Sequence, residues 1–411
     1  MQPGTDAFAP RRKMNILVIN SGSSSVKFSL FNAAGGTPAS LFEGEASGIG
    51  GPEAAFALRD AEGHELPQDE KTSISSTEDA IALVARAISG PEIPKIEAIG
   101  YRVVHPGAAL NQHVRINDEV LKDLREAAEF APLHDPAVLK IIEEMMHRFP
   151  AVGHYACFDT VFHETMPPEA TTYPLPLEYR NKGVRRYGFH GLSCESIVVQ
   201  LRDAGVAFPR RLVIAHLGAG CSVTALVDGR SVDTTMGLTP TGGVVMATRP
   251  GDLDPGLMLY LLRQETGDKE AALGKIETML NHASGMAALS GVSGDMRAIR
   301  AAAAKGDSQA LLTLAIFTRS VKKAVGGYLA LMGGLDALVF AGGIGEHDAV
   351  SRTEIVSGLD TVGISLDARR NAEKKSGLRR ISKDGAGTAI FVVPAKEDLM
   401  IARHVARLAR A

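Results

Sequence analysis

Apolar residues fill positions 16–19 and, apart from Ser29, 28–31, and between them lies a small polar turn, Ser21-Gly22-Ser23-Ser24-Ser25, followed by Val26 and Lys27. Apolar runs of this length around a Gly/Ser turn predict two antiparallel strands. The pattern returns at 212–227, LVIAHLGAGCSVTALV, where His216, Gly218, Gly220 and Ser222 separate two further apolar runs. Laying Asn20 on His216 puts Gly22 on Gly218 and Leu30 on Leu226 without a gap. A repeat this far apart is not a solenoid period. It predicts two related domains, each presenting a glycine turn to a shared cleft.

Elsewhere the periodicity alternates between short apolar runs and helical stripes. Residues 96–104, 152–158, 336–341 and 389–393 read as strands. Helices are expected at 77–88 with Ser76 or Thr77 as cap, at 118–130, and at 136–149 with Asp135 as N-cap and Pro136 in the first turn. Others are expected after a cap at Ser193, after Asp254-Pro255, at 268–282, 295–305 and 307–332, from about 348, and from Lys396-Glu397-Asp398 onward. Residues 171–186 read as an irregular loop. The segment 324–345 is apolar enough to suggest a membrane span. Its seven glycines and Asp336 break it into a helix end, a Gly-Gly break and a strand.

With 411 residues the chain is long enough for two ordinary domains, each with its own core. A hydrophobic content of 45% with 22% charged residues is that of a soluble globular protein. The net charge of −3, with no basic run interleaved with aromatics, gives no case for nucleic acid. Cys157, Cys194 and Cys221 are odd in number and far apart, which argues against a disulfide framework or zinc site and fits a reducing cytoplasm. The first 13 residues lack an apolar h-region and read as a disordered extension, with Met14 an alternative start.

Three glycine-rich turns leave strands, at 21–25, 217–221 and 341–345, and such turns offer backbone N–H groups to phosphate. Arg102, Arg249, His134, His190, Asp159 and Glu397 each fall at an element end. His134 and Arg249 lie beside helix N-termini, where anions are favoured. Four of them have a plainer reading. Asp159 and Glu397 suit helix caps or turns, His190 a structural loop histidine, and Arg249 an ion pair with Asp252 or Asp254. Taken together they suit the joining of two anions. Unit charges about 4 Å apart repel by roughly 4 kcal/mol at an effective dielectric of about 20. Bidentate arginines bridge such a pair, and carboxylates are left to hold Mg²⁺.

The motifs INSGSSSVKF, GYRVVHPG, APLHDPA, FDTVFH, RRYGFHG, HLGAGCS, TRPGDLDP, the DMR at 295–297, AGGIGE and PAKEDLMIA occur in the order found in acetate kinases, and the chain resembles that family from about residue 14 to its end. The resemblance implies an α/β protein of two duplicated domains, of the actin-like ATPase (ribonuclease H-like) type, with an interdomain nucleotide cleft. The implied boundaries are 1–160 for an acyl-binding domain and 161–397 for a nucleotide-binding domain, with the helix 398–411 packing back on the first. It implies that Asn20 and Glu397 hold Mg²⁺ (or Mn²⁺) and that Lys27 touches nucleotide phosphate. Arg102 would bind the acceptor carboxylate, and Asp159 would orient it or the metal. His190 and Arg249 would stabilise the phosphoryl group in flight. ATP or ADP would lie on His216, Leu217, Gly218, Ala219 and Gly220, on Asp295, Met296 and Arg297, and on Gly343, Ile344, Gly345, Glu346 and His347. Val104, Leu133, Phe189 and Pro240 resemble the acyl pocket, and His134 joins the substrate-binding set.

The implied reaction is reversible transfer from ATP to acetate, giving acetyl phosphate and ADP, in a cytoplasmic homodimer without nucleic-acid or membrane partners. Propionate or butyrate is the alternative acceptor, and an ATP-driven binding module of the actin and chaperone type the alternative from another class. This chain departs from the family pattern at several points. Ala219 stands where HLGNG has Asn, His347 where GIGEN has Asn, Cys194 where a His follows GFHG, and Pro250 where a Ser follows Arg. Thr241-Gly242-Gly243 replaces the end of LTPLEG, beside the expected acyl pocket.

Overall fold

The computed structural model describes residues 14–22, 25–34, 36–51, 54–66, 74–90, 93–128, 135–205 and 207–411. The chain forms two compact units. Unit 1 runs to Val161 and takes back Lys396–Ala411, and unit 2 is Phe162–Ala395.

In unit 1 the strands are β1 (Asn15–Ser21), β2 (Ser25–Asn32), β3 (Ala39–Ser47), β4 (Ala55–Asp60), β5 (Ala98–Val103), β6 (Val114–Arg115) and β7 (Gly153–Phe158), ordered β4-β3-β2-β1-β5-β7-β6. β1 to β4 form an antiparallel meander, and β1, β5 and β7 are parallel. One face, with Leu17, Leu30, Ile99, Tyr101 and Phe158, is covered by Ile81 and Val84 of the helix Thr77–Ala87, Val120 and Leu124 of Asp118–Ala127, and Ile141 and Ile142 of Asp135–Arg148. The opposite face receives the last helix, Glu397–Leu408. A Cβ on Gly100 of β5 would lie 2.7 Å from Ile401 Cγ2 and 2.6 Å from Val405 Cγ2, so only glycine lets that helix seat against the strand. Ser76 and Asp79 form a reciprocal capping box at the first helix.

In unit 2, β8 (Arg211–Leu217), β9 (Cys221–Val227), β10 (Arg230–Thr234), β11 (Ala337–Ala341), β12 (Arg379–Arg380) and β13 (Ala389–Val392) are ordered β10-β9-β8-β11-β13-β12. The plan repeats that of unit 1: a three-stranded antiparallel meander whose first strand continues into two parallel strands. The two glycine hairpins differ by one residue, however. Ser21 faces Val26, whereas Leu217 faces Cys221, so four residues of sequence separate the first pair and three the second. The ungapped match therefore holds through the first strand and then slips. Lys27, opposite Asn20, corresponds to Ser222, opposite His216, and Leu30 corresponds to Ala225.

Three further details differ from the sequence reading. The helix expected to start at a Ser193 cap begins at Gly191, with His190 as N-cap in the left-handed region at φ 60° and ψ 26°. Ser193 is instead a buried residue of its first turn. The glycine turn after β11 is itself helical, Gly342–His347, and Asp348 then caps Ala349–Val356. Residues 171–186 contain a short helix, Leu177–Asn181. The segment 324–345 divides into the end of the helix Ser308–Leu331 and strand β11, and no helix among the described residues is long and apolar enough to cross a membrane. The 1–13 extension, and Leu133 and His134 of the acyl set, lie outside the described residues.

Candidate active site

In unit 1 the carboxyl ends of β1, β5 and β7 bring Asn20, Arg102 and Asp159 to the N-terminus of the last helix. Arg102 grips the buried Asp159 with both arms of its guanidinium, Nε to Oδ1 at 3.1 Å and Nη2 to Oδ2 at 2.5 Å. Its Nη1 donates to Asn20 Oδ1 at 3.3 Å, and Glu397 Oε2 lies 3.7 Å from its Nε. Asn20 Nδ2 donates to Asp398 Oδ1 at 3.0 Å and to Glu397 Oε2 at 3.4 Å, and Ser29 Oγ donates to Asp398 Oδ2 at 2.7 Å. Burial opposes the Arg102 charge, but Asp159, Glu397 and Asp398 together hold its pKa above the ordinary value. Lys27, opposite Asn20 on β2, is exposed and lies 3.9 Å from Glu45. Val104 is buried just beyond β5.

In unit 2 a second constellation surrounds the 218–220 turn. His190 and His216 stack with ring centroids 4.2 Å apart. A serine hydroxyl meets Nδ1 of each, Ser222 at 3.0 Å on His190 and Ser193 at 2.7 Å on His216. A Cβ on Gly220 would sit 3.3 Å from His190 Nε2 and 3.7 Å from Arg249 Nη1, so the bare backbone of this turn is where imidazole and guanidinium converge. Arg249 Nη1 also donates to Pro240 O at 3.2 Å. Asp252 and Asp254, weighed as partners for Arg249, accept from the backbone N–H of Gly243 and Gly256. Phe189 is buried beside His190.

Next to this turn lies a cavity of about 800 Å³. Gly218 and Ala219 of the hairpin, Asp295, Met296 and Arg297, and Gly343, Ile344 and His347 all line it, so three segments far apart in sequence share one wall. Other candidates stay out of it. His216 and Leu217 are buried strand residues, and Gly345 packs against Phe340. The Glu346 carboxylate accepts from the N–H groups of Gly342 and Ala395, fastening the helical turn to the segment after β13.

A glycine-walled cavity with a guanidinium and two imidazoles at its edge fits a nucleoside polyphosphate. The acetokinase family model matches residues 15–403. The chain belongs to the acetokinase family. It is 39% identical over 407 residues to the acetate kinase of Fusobacterium nucleatum, covering 97% of this chain and 100% of that one. The crystal structure of Porphyromonas gingivalis acetate kinase superposes with a TM-score of 0.83 at 33% identity, covering 96% of this chain and 100% of that one. A propionate kinase from Francisella tularensis superposes with a TM-score of 0.87 at 37% identity and the same coverage.

Acetokinase motifs thus occupy both constellations, and the geometry adds residues that the motifs alone did not single out. Asp398 reads in sequence as a first-turn acid that suits the helix dipole; in the fold it binds Asn20 and Ser29. Ser193 and Ser222 fix the two histidines. Arg300 and Asp348, paired at 2.7 Å, and Ala247 extend the cavity wall. No local sequence signal marks Ser193 or Ser222. Oxygen donors gather in the unit 1 cluster. Asn20, Asp159, Glu397 and Asp398 offer oxygen donors, the kind Mg²⁺ takes, and three carboxylates outweigh the one guanidinium among them.

Proposed function

We propose that the protein is a carboxylate kinase that moves the γ-phosphoryl group of ATP to acetate, giving acetyl phosphate and ADP, reversibly and by direct in-line transfer. The observation that carries this reading is the convergence of His190 Nε2 and Arg249 Nη1 on the Gly220 backbone, beside the glycine-walled cavity. Transfer of this kind depends on positioning and charge stabilisation, with little covalent work for the protein. Ser222 Oγ lies 3.0 Å from Nδ1 of His190 and fixes the ring so that Nε2 faces the Gly220 turn. Arg249 adds a fixed positive charge there. The nucleotide occupies the cavity lined by Ala219, Asp295–Arg297 and Gly343–His347, and Arg102 receives the acceptor carboxylate with Asp159 orienting it. Mg²⁺ held by Asn20, Glu397 and Asp159 would supply charge neutralisation for the phosphates.

Two features bear on the finer reading. The Francisella propionate kinase is as similar as the acetate kinases, and Thr241-Gly242-Gly243 differs from the family pattern beside Pro240, so propionate is the second acceptor to consider. In the helix Pro255–Gln264, Leu257, Leu259, Tyr260 and Leu262 are exposed, which supports assembly as a homodimer through that face. Cys157, Cys194 and Cys221 are buried thiols outside any disulfide, which supports a reducing cytoplasm as its compartment. The test of the acceptor is hydroxylamine trapping of acyl phosphate across acetate, propionate, butyrate and glucose. Acetate should give the highest kcat/KM and glucose no product; a higher value for propionate or butyrate would reassign the substrate.

A further inference from the structure

The loop that leaves β10 reaches the candidate phosphoryl-handling groups where Pro240 O accepts from Arg249 Nη1 at 3.2 Å. Upstream of that contact the chain from Thr234 onward is tied, residue by residue, to the segment 173–188. Arg186 Nη1 lies 2.8 Å from Thr234 O and 3.0 Å from both Thr235 O and Met236 O. Gly237 O accepts from the backbone N–H groups of Tyr187 and Gly188 at 3.1 and 3.3 Å. Leu238 N–H then donates to the Tyr173 hydroxyl oxygen at 2.9 Å, and this is the tie nearest to Pro240. Gly237 is needed there for space: its backbone is outside the left-handed region, but a Cβ would overlap the Tyr173 hydroxyl. The Arg186 guanidinium carbon sits 6.0 Å from the centroid of the Tyr173 ring. Packing of a half-buried loop tyrosine against its neighbours accounts for the ring. It does not account for a hydroxyl bonded to the backbone two residues before the carbonyl that Arg249 uses.

We propose that Tyr173 is a positioning residue for phosphoryl transfer: its hydroxyl fixes Leu238, and with it the Pro240 carbonyl that orients the Arg249 guanidinium. This rests on Arg249 stabilising the transferred group, as in the function proposed above. A long, flexible side chain acts as a preorganised donor only when it is held in one rotamer, and a fixed carbonyl at its tip does this. A displacement of about 1 Å at a group that acts on the transition state can cost about 10²-fold in rate. The anchor of this loop therefore bears on kcat. The cavity walls at 218–219, 295–297 and 343–347 share no residue with the loop, so the anchor leaves ATP binding alone.

A double-mutant cycle between Tyr173→Phe and Arg249→Ala on the full chain tests this, read as kcat for trapped acetyl hydroxamate from ATP and acetate. Phenylalanine keeps the ring and removes only the oxygen. Alone, Tyr173→Phe should lower kcat about fivefold, the scale of one lost hydrogen bond, and leave the KM for ATP unchanged. Beside Arg249→Ala it should lower kcat no further, because changes within one chain of contacts are not additive. Gly237→Ala displaces the loop from the other side and should lower kcat at least as much. Adding Tyr173→Phe should restore that variant to the level of Tyr173→Phe alone, since the ring carbon Cζ lies an ordinary 3.6 Å from the new Cβ. Tyr179→Phe, at an exposed tyrosine of the same segment, should leave kcat intact. Unchanged kcat in Tyr173→Phe, or the same fold loss with and without Arg249, would overturn the positioning role. Normal turnover in Arg249→Ala would overturn the role of Arg249 itself, and this proposal with it.

Discussion

Arg249 and Arg102 differ in what already holds them. Arg102 has its fork on Asp159 and its remaining amine on Asn20, whereas Arg249 Nη1 donates to Pro240 O and lies 3.7 Å from where a Cβ on Gly220 would sit. Arg249→Ala should lower kcat by about 10²–10³, as removal of one preorganised transition-state donor does, and Arg249→Lys should recover only part of it. Arg102→Ala should also raise the KM for the carboxylate; steady-state kinetics of the three variants check both, and near-normal turnover would remove the anion-clamp account. Ala219 and His347 line the cavity proposed for the nucleotide, where the family pattern has two Asn residues. Ala219 offers the base or ribose no hydrogen bond. Discrimination among ATP, GTP and ITP should therefore be weak, and Ala219→Asn/His347→Asn should strengthen it with little change in the carboxylate KM. Equal kcat/KM ratios before and after the swap would show that other residues read the base. At this scale the motifs singled out candidate side chains but not the groups that bind them. Ser222 and Asp398 act through partners distant in sequence, and nothing local to either announces it.

The two glycine hairpins were readable as hairpins because their apolar runs are continuous, and their relative register was not, for the same reason. β9 is buried along nearly its whole length, so no alternation of polar and apolar residues marks which face is which. A one-residue difference in the turn then passes unnoticed although it reverses every side chain. The Ser193 cap failed differently. Serine is a favoured N-cap, but here the helix starts on the left-handed His190, and Ser193 is spent on His216. The sheet of unit 1 carries its own titration. His154 on β7 meets Tyr101 Oη at 2.7 Å through Nδ1 and Phe149 O at 3.2 Å through Nε2. Burial pushes its pKa down. His113 is pushed down to about 3 by burial, with His404 and Arg407 adding to the effect. Folded values below the ordinary value of about 6.5 mean that the unfolded chain binds more protons at acid pH. Stability from these rings is therefore complete above about pH 6.5 and is lost as pH falls below it. Melting temperatures measured from about pH 7.5 to 5 should decline, and His154→Gln should flatten the decline; an unchanged slope would show that the ring is not neutral in the fold.

Over the whole molecule, two sheets built on one plan carry different chemistry at their strand ends. Unit 1 gathers acids around one arginine, and unit 2 gathers histidines and an arginine around a bare glycine turn. The duplication was visible in the spacing of Asn20-Gly22 and His216-Gly218. The return of the last helix to unit 1 was legible only through the family resemblance, because the contact of Ile401 and Val405 with Gly100 spans some three hundred residues of sequence. The central claim is that this pair of sites serves phosphoryl transfer to a carboxylate and not an ATP-driven conformational cycle. It is tested most directly by measuring ADP release and trapped acyl hydroxamate in the same reaction, with and without acetate. The account predicts one acyl hydroxamate per ADP when acetate is present and negligible ADP when it is absent. ADP released at the same rate without a carboxylate, and with no trapped acyl phosphate, would contradict it.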